Sequence, residues 1–306
     1  MIANYFSSKT VSLVKLDTPK AGSLVYIESP TEKELDYLSS EHGLDIDLLK
    51  DGLDPNESPR VEDYDKRTYI YTRYVLPASE KQTTTPVLIV FGVDMLYVIA
   101  RQPFGDLEKL LDSGDVTTSK RAQTLLQILA TVNRSYRKSI NTIARRIWRI
   151  RSELSKVRVD NKNFIEFIDI EEDLNDFLLA LEPMNAQLNH LLTGKSIRLY
   201  EDDKDLIEDL ELGSHELISL SSSQLTTIRN IRDSYSTIAT NNLNSVIRLM
   251  TAITIVIGIC TMITGIYGMN VALPNDDSSS AFYLIVGLML AIIVSVFGFL
   301  KYKKWL

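Results

Sequence analysis

The pattern of apolar and polar positions first separates an N-terminal α/β stretch, residues 1–115. Its apolar runs are short, rich in β-branched and aromatic residues, and separated by prolines, which is typical of strands joined by loops. We therefore predict a mixed α/β domain. Its predicted strands lie at 23–28, 68–76, 87–93 and 95–100.

One helix is predicted between the first two strands. Thr31 has the position of an N-cap, Glu34 that of the matching capping-box acid, and Gly43 ends the helix. None of the predicted strands precedes a glycine-rich phosphate loop, so the sequence gives nucleotide binding no support.

Residues 116–248 form a helical region with two segments of opposite charge. Residues 134–158 contain nine Lys or Arg and one acid, Glu153. Residues 160–216 contain sixteen Asp or Glu and four Lys or Arg, a net charge of 4 − 16 = −12. Two interpretations are equally open: an antiparallel helix pair with complementary faces, or two solvated helical faces.

A long amphipathic helix is predicted at the end of this region. No proline lies between Pro183 and Pro274, and mostly apolar positions recur every three or four residues from Leu206 to Leu249. Gly213 is its weakest point, where a kink or a break is the alternative. Such a helix could enter the membrane without interruption and couple the two parts of the chain. The stripe comprises positions 206, 210, 213, 217, 220, 224, 228, 231, 235, 238, 242, 245 and 249.

Two runs without any charge, residues 249–268 and 281–300, form the third region, 249–306. Each has twenty residues, and a helix of that length spans the roughly 30 Å hydrocarbon layer. Buried core helices rarely lack every charge over this length. We therefore predict two transmembrane helices joined by an external loop, 269–280.

The flanking charges orient these spans. Arg248 precedes the first span, and three lysines follow the second, whereas the loop holds only Asp276 and Asp277. The positive-inside rule places both termini in the cytoplasm and the loop outside a cell membrane, the plasma or inner membrane. No cleaved signal peptide is visible at the N-terminus. The three lysines are Lys301, Lys303 and Lys304.

Composition excludes several classes of function. The net charge of −7 argues against nucleic acid as a partner. The single cysteine, Cys260, lies inside the first span, so it forms no intrachain disulfide, and we interpret it as a packing residue. The three histidines have no metal-ligand spacing with Cys260, and no nucleophile–base arrangement is visible. The chain is therefore predicted not to be an enzyme.

One face of the first span carries only small or hydroxylated residues. Small residues let transmembrane helices pack closely, whereas hydroxyls and exposed carbonyls could line a pore, and periodicity alone supports both equally. Two spans cannot enclose a pore, but several copies could. The face lacks Asp, Glu, His and Cys, which suits Mg²⁺ passing with much of its hydration shell. We call this face the seam: Thr251, Thr254, Gly258, Thr261, Gly265 and Gly268.

The tetrapeptide YGMN at 267–270 ends the first span, an acidic loop follows, and the chain finishes KYKKWL. In this position and topology it resembles the CorA-type magnesium transporters. The resemblance implies an N-terminal cytosolic α/β domain and a long stalk helix that continues into the first of two transmembrane helices. It also implies a homopentamer with a selectivity filter at Gly268, Met269 and Asn270, where a ring of Asn270 amides holds hydrated Mg²⁺ at the outer mouth.

When residues are counted back from this signature without gaps, the family's pore positions fall on five residues of this chain. Met250 and Ile247 would form a hydrophobic constriction near the cytosolic mouth, where a gate could act by dewetting. Thr261 and Gly258 belong to the seam described above. The transferred positions are Asn244, Ile247, Met250, Gly258 and Thr261.

The family's regulatory site, where cytosolic Mg²⁺ bridges acids of neighbouring subunits, transfers in part. One partner falls near Asp209, in the cluster Asp205, Glu208 and Asp209, and the other partner, which the sequence does not identify, is expected from the N-terminal domain. The family's common Met-Pro-Glu-Leu loop is absent, and Asp276 and Asp277 could instead attract cations. The resemblance implies passive influx of Mg²⁺, with Co²⁺ or Ni²⁺ as further substrates and no organic cofactor. The alternatives are a zinc transporter on the same scaffold, which Met269 disfavours, and a non-conducting membrane-anchored scaffold.

Overall fold

A computed structural model describes residues 2–8, 11–76, 82–153, 161–269 and 279–303. The chain divides into two compact units, Met1–Ile231 and Arg232–Leu306.

The first unit is built on a seven-stranded sheet in the order β2-β1-β3-β7-β6-β5-β4. β3 and β7 are parallel, and all other neighbouring pairs are antiparallel. The four strands predicted from the sequence are β3, β5, β6 and β7, and they form the contiguous centre of the sheet. The strands are β1 (Ile2–Ser8), β2 (Val11–Leu16), β3 (Leu24–Glu28), β4 (Arg60–Tyr64), β5 (Arg67–Leu76), β6 (Thr83–Phe91) and β7 (Leu96–Ala100).

The edge strands β2 and β4 were not predicted. β4 joins β5 through a two-residue turn in which Asp65 and Lys66 both have positive φ, 45° and 62°. Such turns match the twist of the flanking strands, but they usually contain Asn-Gly or Asp-Gly. The Asp-Lys pair therefore gives no hairpin signal in the sequence.

Two helices cover one face of the sheet, α1 (Glu32–His42) and α2 (Ile46–Asp51). The predicted capping box of α1 is confirmed. The Thr31 N–H donates to Glu34 Oε2 at 2.8 Å, and the Glu34 N–H donates to Thr31 Oγ1 at 3.4 Å. The bond from the Thr31 backbone lowers the pKa of the Glu34 carboxyl. Gly43 ends the helix at φ 65°.

The core beneath α1 and α2 is a continuous apolar layer. Leu38 and Leu49 from the helices are fully buried and meet Leu88 and Ile99 from the sheet. Burying side chains of this size contributes roughly 1.5–3 kcal/mol each. The strands at the centre of the sheet are consequently almost wholly apolar.

Three helices belong to the rest of the first unit: α3 (Gly105–Asp112), α4 (Arg121–Glu153) and α5 (Asn161–Leu192). The Phe104 ring stacks on Tyr74 of β5 with centroids 4.0 Å apart. Between α4 and α5, Tyr136 meets Phe177 edge to face at 5.4 Å. These aromatic pairs join the helices to the sheet and to each other.

A buried carboxylate, Asp173 of α5, joins three elements of the first unit. It is fully buried and accepts the Gln82 backbone N–H at 3.2 Å, next to the start of β6. Arg146 of α4 lies 3.6 Å from the same carboxylate. The Ser139 hydroxyl of α4 donates to the Gln82 side chain at 2.8 Å. Burying a charge is costly unless it is paired and hydrogen-bonded, so this set of contacts is mutually dependent.

The oppositely charged segments do pair, as one of the two interpretations expected. Arg146 and Arg149 of α4 contact Glu166 of α5 at 3.4 and 2.7 Å. Several other basic residues of α4 stay exposed, however. The second interpretation, a solvated face, therefore holds for the opposite side of the same helix.

The long helix is α6 (Glu201–Tyr267), and it runs through Gly213 without a break. Within the first unit it contacts α4 and α5. Arg137 of α4 binds Glu216 through both carboxylate oxygens, at 3.2 and 2.8 Å, and this lowers the pKa of the Glu216 carboxyl. Asn189 of α5 donates to Glu211 at 3.1 Å.

The predicted apolar stripe of α6 is buried at several positions between Leu217 and Tyr235, displaced by one residue at several earlier positions, and exposed at Ile238, Asn242 and Ser245. Leu217, Ile228, Ile231 and Tyr235 are buried as expected. Leu206, in contrast, is 38% exposed, whereas its neighbour Ile207 is fully buried. Further along, Ser214 and Ser221 are fully buried, whereas the stripe predicted burial at positions 213 and 220. Small side chains suit a face pressed against neighbouring elements, and a search for apolar residues misses them.

We predict that Asp173→Ala destabilises the first unit by about 3 kcal/mol, because it removes the buried acceptor of the Gln82 N–H and a buried carboxylate that pairs with Arg146. The measurement is the thermal unfolding midpoint of the purified chain. Glu182→Ala removes an exposed acid of the same helix and should change stability by no more than about 0.5 kcal/mol. Equal shifts for the two variants would contradict the role of Asp173.

Candidate ion pathway

Among the residues that the structure describes, two helices are long and apolar enough to cross a membrane: α6 and α7 (Ser279–Tyr302). Their most apolar segments are almost entirely exposed rather than buried as a soluble core helix would be. Both segments belong to the second unit. A bilayer is the solvent in which such surfaces are stable.

α7 packs along one side of α6. An apolar cleft between them is lined by Ala252 and Val256 of α6 and by Phe297 and Leu300 of α7. Ala252 and Leu300 are buried, at 7% and 6% exposure. Ala252 and Leu300 therefore mark the place where the two helices meet.

The seam lies on the opposite side of α6. Successive helical residues turn by about 100°, which puts Gly258 and Thr261 roughly half a turn from Ala252 and Val256. All six seam residues are exposed. α7 therefore leaves the seam uncovered, and the packing of these two helices does not explain its small residues.

The seam hydroxyls all use their hydrogens within α6. Thr251, Thr254 and Thr261 donate to the carbonyls four residues earlier at 2.8, 2.9 and 2.8 Å. A hydroxyl that donates internally keeps its lone pairs as acceptors. The outward face of the seam is thus an array of acceptors, and the water molecules around a cation point their hydrogens outward. The arrangement can accept hydrogen bonds from a hydrated cation.

Two seam glycines, Gly258 and Gly265, face open space. Among the residues that the structure describes, none has an atom within 4 Å of a Cβ placed on Gly258 or Gly265. At Gly268, a Cβ would lie 3.2 Å from the Thr264 carbonyl oxygen. A larger residue at position 268 would therefore crowd the last turn of the helix.

The residues assigned to the constriction also project from α6. Ile247 is 51% and Met250 is 59% exposed, and Asn244 is exposed one turn earlier. At 100° per residue, Ile247 and Met250 fall on the seam side of the helix. The structure thus extends the seam by an apolar section towards the N-terminal end of the span.

α6 ends at Tyr267, and two backbone bonds close its last turn. Gly268 N–H donates to the Thr264 carbonyl at 3.0 Å, and Met269 N–H donates to the Ile266 carbonyl at 3.2 Å. Met269 is 58% exposed. Of the predicted filter and loop residues, Asn270, Asp276 and Asp277 lie outside the described residues.

The acids assigned to regulation, Asp205, Glu208 and Asp209, are exposed near the start of α6. In the described part of the chain, no three Asp, Glu, His or Cys side chains converge into a metal site. Asp209 lines a groove with Arg134 and Arg137 of α4. The spacing of acids in the sequence could not reveal these two guanidinium groups. Their positive charge disfavours cation binding at Asp209 more than at Asp205 or Glu208.

A family model described as CorA-like Mg²⁺ transporter protein matches residues 23–302. The chain belongs to this family. It is therefore a CorA-family divalent-cation transporter, and the family's members are transporters rather than enzymes. The resemblance inferred from the YGMN segment and its surroundings is confirmed, as is the predicted membrane character.

Two relatives support the assignment. The cobalt/magnesium transport protein CorA of Methanocaldococcus jannaschii is 25% identical over 273 residues, which are 86% of this chain and 85% of that protein. The putative metal ion transporter YfjQ of Bacillus subtilis is 24% identical over 141 residues, covering 46% of this chain and 44% of its own.

Solved structures confirm the predicted fold class. The complete CorA magnesium transporter of Methanocaldococcus jannaschii matches with a TM-score of 0.86 at 22% identity, covering 100% of this chain and 99% of its own. Full-length CmaX matches with a TM-score of 0.73 at 17% identity, covering 99% and 97%. The ZntB cytoplasmic domain of Vibrio parahaemolyticus matches with a TM-score of 0.64 at 12% identity, covering 79% and 97%. At these identities the matches show the fold alone.

We predict that Thr261→Val lowers Mg²⁺ uptake several-fold, because it removes one acceptor of the seam while keeping a similar shape. The matched control is Thr264→Val, since Thr264 also bonds back to carbonyls of α6 but lies about a quarter turn from the seam. Uptake into a magnesium-dependent host, corrected for the amount of protein in the membrane, measures the difference. Equal losses in both variants would mean that the seam has no special role.

Proposed function

We propose that several copies of this chain, five by family resemblance, surround a pore that conducts Mg²⁺ into the cytoplasm, with Co²⁺ or Ni²⁺ as further substrates. The observation that supports this proposal best is the row of hydrogen-bond acceptors on the side of α6 that faces away from α7. One chain supplies two spans, which cannot enclose a polar path, whereas copies arranged around an axis can bring their seams together. The name of the cobalt/magnesium relative supports the choice of ions.

The proposed pore selects the ion by its hydration shell. Mg²⁺ gives up its water reluctantly, so neutral acceptors that bind those waters suit it. Stripping a dication, or holding Zn²⁺, would instead need carboxylates, imidazoles or thiolates. The seam has none of these, and Cys260 lies outside it. The lack of such ligands in the seam disfavours a zinc transporter. A non-conducting membrane-anchored scaffold would not need a row of hydrogen-bond acceptors on its first span.

The filter is proposed at Gly268, Met269 and Asn270, just beyond the end of α6. The C-terminal end of a helix carries roughly half a negative charge and several carbonyls without intrahelical partners. Five such ends around an axis would attract a cation, and a ring of Asn270 amide oxygens would bind its waters. Asp276 and Asp277 of the loop would raise the local cation concentration outside.

The proposed orientation makes influx passive. With the spans in a plasma or inner membrane and both termini in the cytoplasm, the membrane potential draws cations from the loop side inward. The field contributes about 2.3 kcal/mol per charge for each 100 mV. Neither ATP nor an organic cofactor is required in this scheme, and Mg²⁺ acts as substrate and regulator.

Gating is proposed at the apolar section formed by Ile247 and Met250. A ring of such side chains can stop ions by excluding water, without any physical plug. Cytosolic Mg²⁺ bound between subunits by Asp205, Glu208 and Asp209 would hold the gate closed. These acids and the gate residues lie on the same helix, so α6 is the proposed coupling element.

Asn270→Ala is expected to lower Mg²⁺ uptake by about tenfold or more, a loss that corresponds to about 1.4 kcal/mol of barrier. The reason is the loss of one water-binding amide from each subunit. Asn275→Ala, in the same loop, is the matched control and should transport normally. Unchanged uptake by Asn270→Ala, with normal membrane insertion, would overturn the assignment of the filter.

The triple variant Asp205→Asn, Glu208→Gln, Asp209→Asn should conduct Mg²⁺ even when the cytosolic side holds millimolar Mg²⁺. Neutral amides cannot replace the carboxylates that the regulatory ion needs. Liposome flux against increasing internal Mg²⁺ gives the concentration of half-inhibition. The control, Asp202→Asn, changes a neighbouring exposed acid and should keep the inhibition. An unchanged half-inhibition in the triple variant would place the regulatory site elsewhere.

A further inference from the structure

Large apolar side chains stay exposed at one end of the α4–α5 pair. Trp148 of α4 is 72% exposed, and Ile165 and Ile168 of α5 are 62% and 51% exposed. We call this region the α4–α5 tip and define it as residues 145–152 together with 164–168. Exposed apolar side chains that cluster on a polar surface mark sites of interaction.

Ion pairs bring the two segments of the α4–α5 tip together. Arg146 and Arg149 both contact Glu166, at 3.4 and 2.7 Å. These contacts place the turn of α4 that carries Trp148 beside the first turns of α5. The three exposed apolar side chains therefore belong to one end of the molecule's helical layer and not to unrelated surfaces.

The same tip carries exposed arginines. Arg145 and Arg151 are exposed, and in the part of the chain that the structure describes neither forms a salt bridge. Arg145 donates to the Thr142 hydroxyl at 3.1 Å. α4 contains no Asp or Glu between residues 121 and 152. The tip thus combines arginines with aromatic and aliphatic surface.

We propose that the α4–α5 tip binds the anionic headgroup surface of a lipid bilayer. Arginine pairs with lipid phosphates, and tryptophan and aliphatic side chains enter the boundary between headgroups and acyl chains. Basic segments of membrane proteins are attracted to anionic leaflets in this way. The chain has two membrane-spanning helices, so a bilayer is always among its surroundings.

The combination of charges and apolar groups favours lipid over an acidic protein face. The acidic residues of a second copy could bind Arg145 and Arg151, but they would leave Trp148, Ile165 and Ile168 unexplained. A bilayer surface accommodates both kinds of side chain at once. Contact with a second copy is therefore a distinct outcome, which the following experiment detects.

The test uses Trp148 as its own reporter. The chain has two tryptophans, so Trp305→Phe leaves Trp148 as the only one. The full-length variant is placed in nanodiscs of phosphatidylcholine alone or with phosphatidylglycerol, and both carry the same fraction of a lipid with a nitroxide on its headgroup. We expect several-fold stronger quenching and a blue-shifted emission in the anionic discs. At 1 M salt, where the Debye length is about 3 Å, the difference should largely disappear.

Charge variants identify the residues responsible. In the Trp305→Phe background, Arg145→Glu with Arg151→Glu should abolish the lipid dependence, and the milder Arg145→Gln with Arg151→Gln should reduce it. Arg134→Glu reverses one charge at an exposed position of α4 outside the tip, which matches either tip substitution made singly, and it should leave the quenching intact. The signal does not depend on ion flux, so it remains interpretable if the proposed transport fails.

Either of two kinds of result would overturn the proposal. The first is equal quenching in neutral and anionic discs, or an equal effect of Arg134→Glu and the tip variants. The second is protection of Trp148 from a water-soluble quencher in neutral discs to the same extent as in anionic ones. That result would assign the tip to a contact between copies of the chain.

Discussion

Inside hydrocarbon, the polar groups of a helix must find partners on that helix or on a neighbour, and the proposed pathway depends on this constraint. Thr251, Thr254 and Thr261 meet it by donating to carbonyls of their own helix. Their remaining lone pairs point outward as acceptors. α7 occupies the other side of α6, so those acceptors can be satisfied only by water, a hydrated ion or another subunit. This property of the helix supports the assembly and the conduction that we propose.

In the first unit, a second constraint joins the helical layer to the sheet. The buried Asp173 needs the Gln82 N–H and the Arg146 guanidinium at the same time. Arg146 also contacts Glu166, so the buried network continues to the surface of the α4–α5 pair. A few charged contacts therefore set the packing of two long helices, whereas the basic side of α4 keeps arginines available for a partner outside the chain.

Local signals made much of the fold predictable. Thr31, Glu34 and Gly43 define α1 through contacts within a few residues, and the four central strands are apolar because both faces of the sheet are covered. The edge strand β4 escaped prediction because Asp65 and Lys66 adopt positive φ without the usual glycine. On α6, Ser214 and Ser221 are buried where an apolar stripe predicted the neighbouring positions, since close packing selects for small size as well as for hydrophobicity.

By itself, the sequence determined the two spans, the seam and the YGMN signature, because helical periodicity and the absence of charge are properties of neighbouring residues. Only the tertiary structure decided that α7 covers the side of α6 opposite the seam. It alone showed that Asp209 faces Arg134 and Arg137, and that Trp148 shares an exposed tip with Ile165 and Ile168. Those relations join residues that are distant along the chain. Distance along a sequence carries no information about which charges and surfaces will meet after folding.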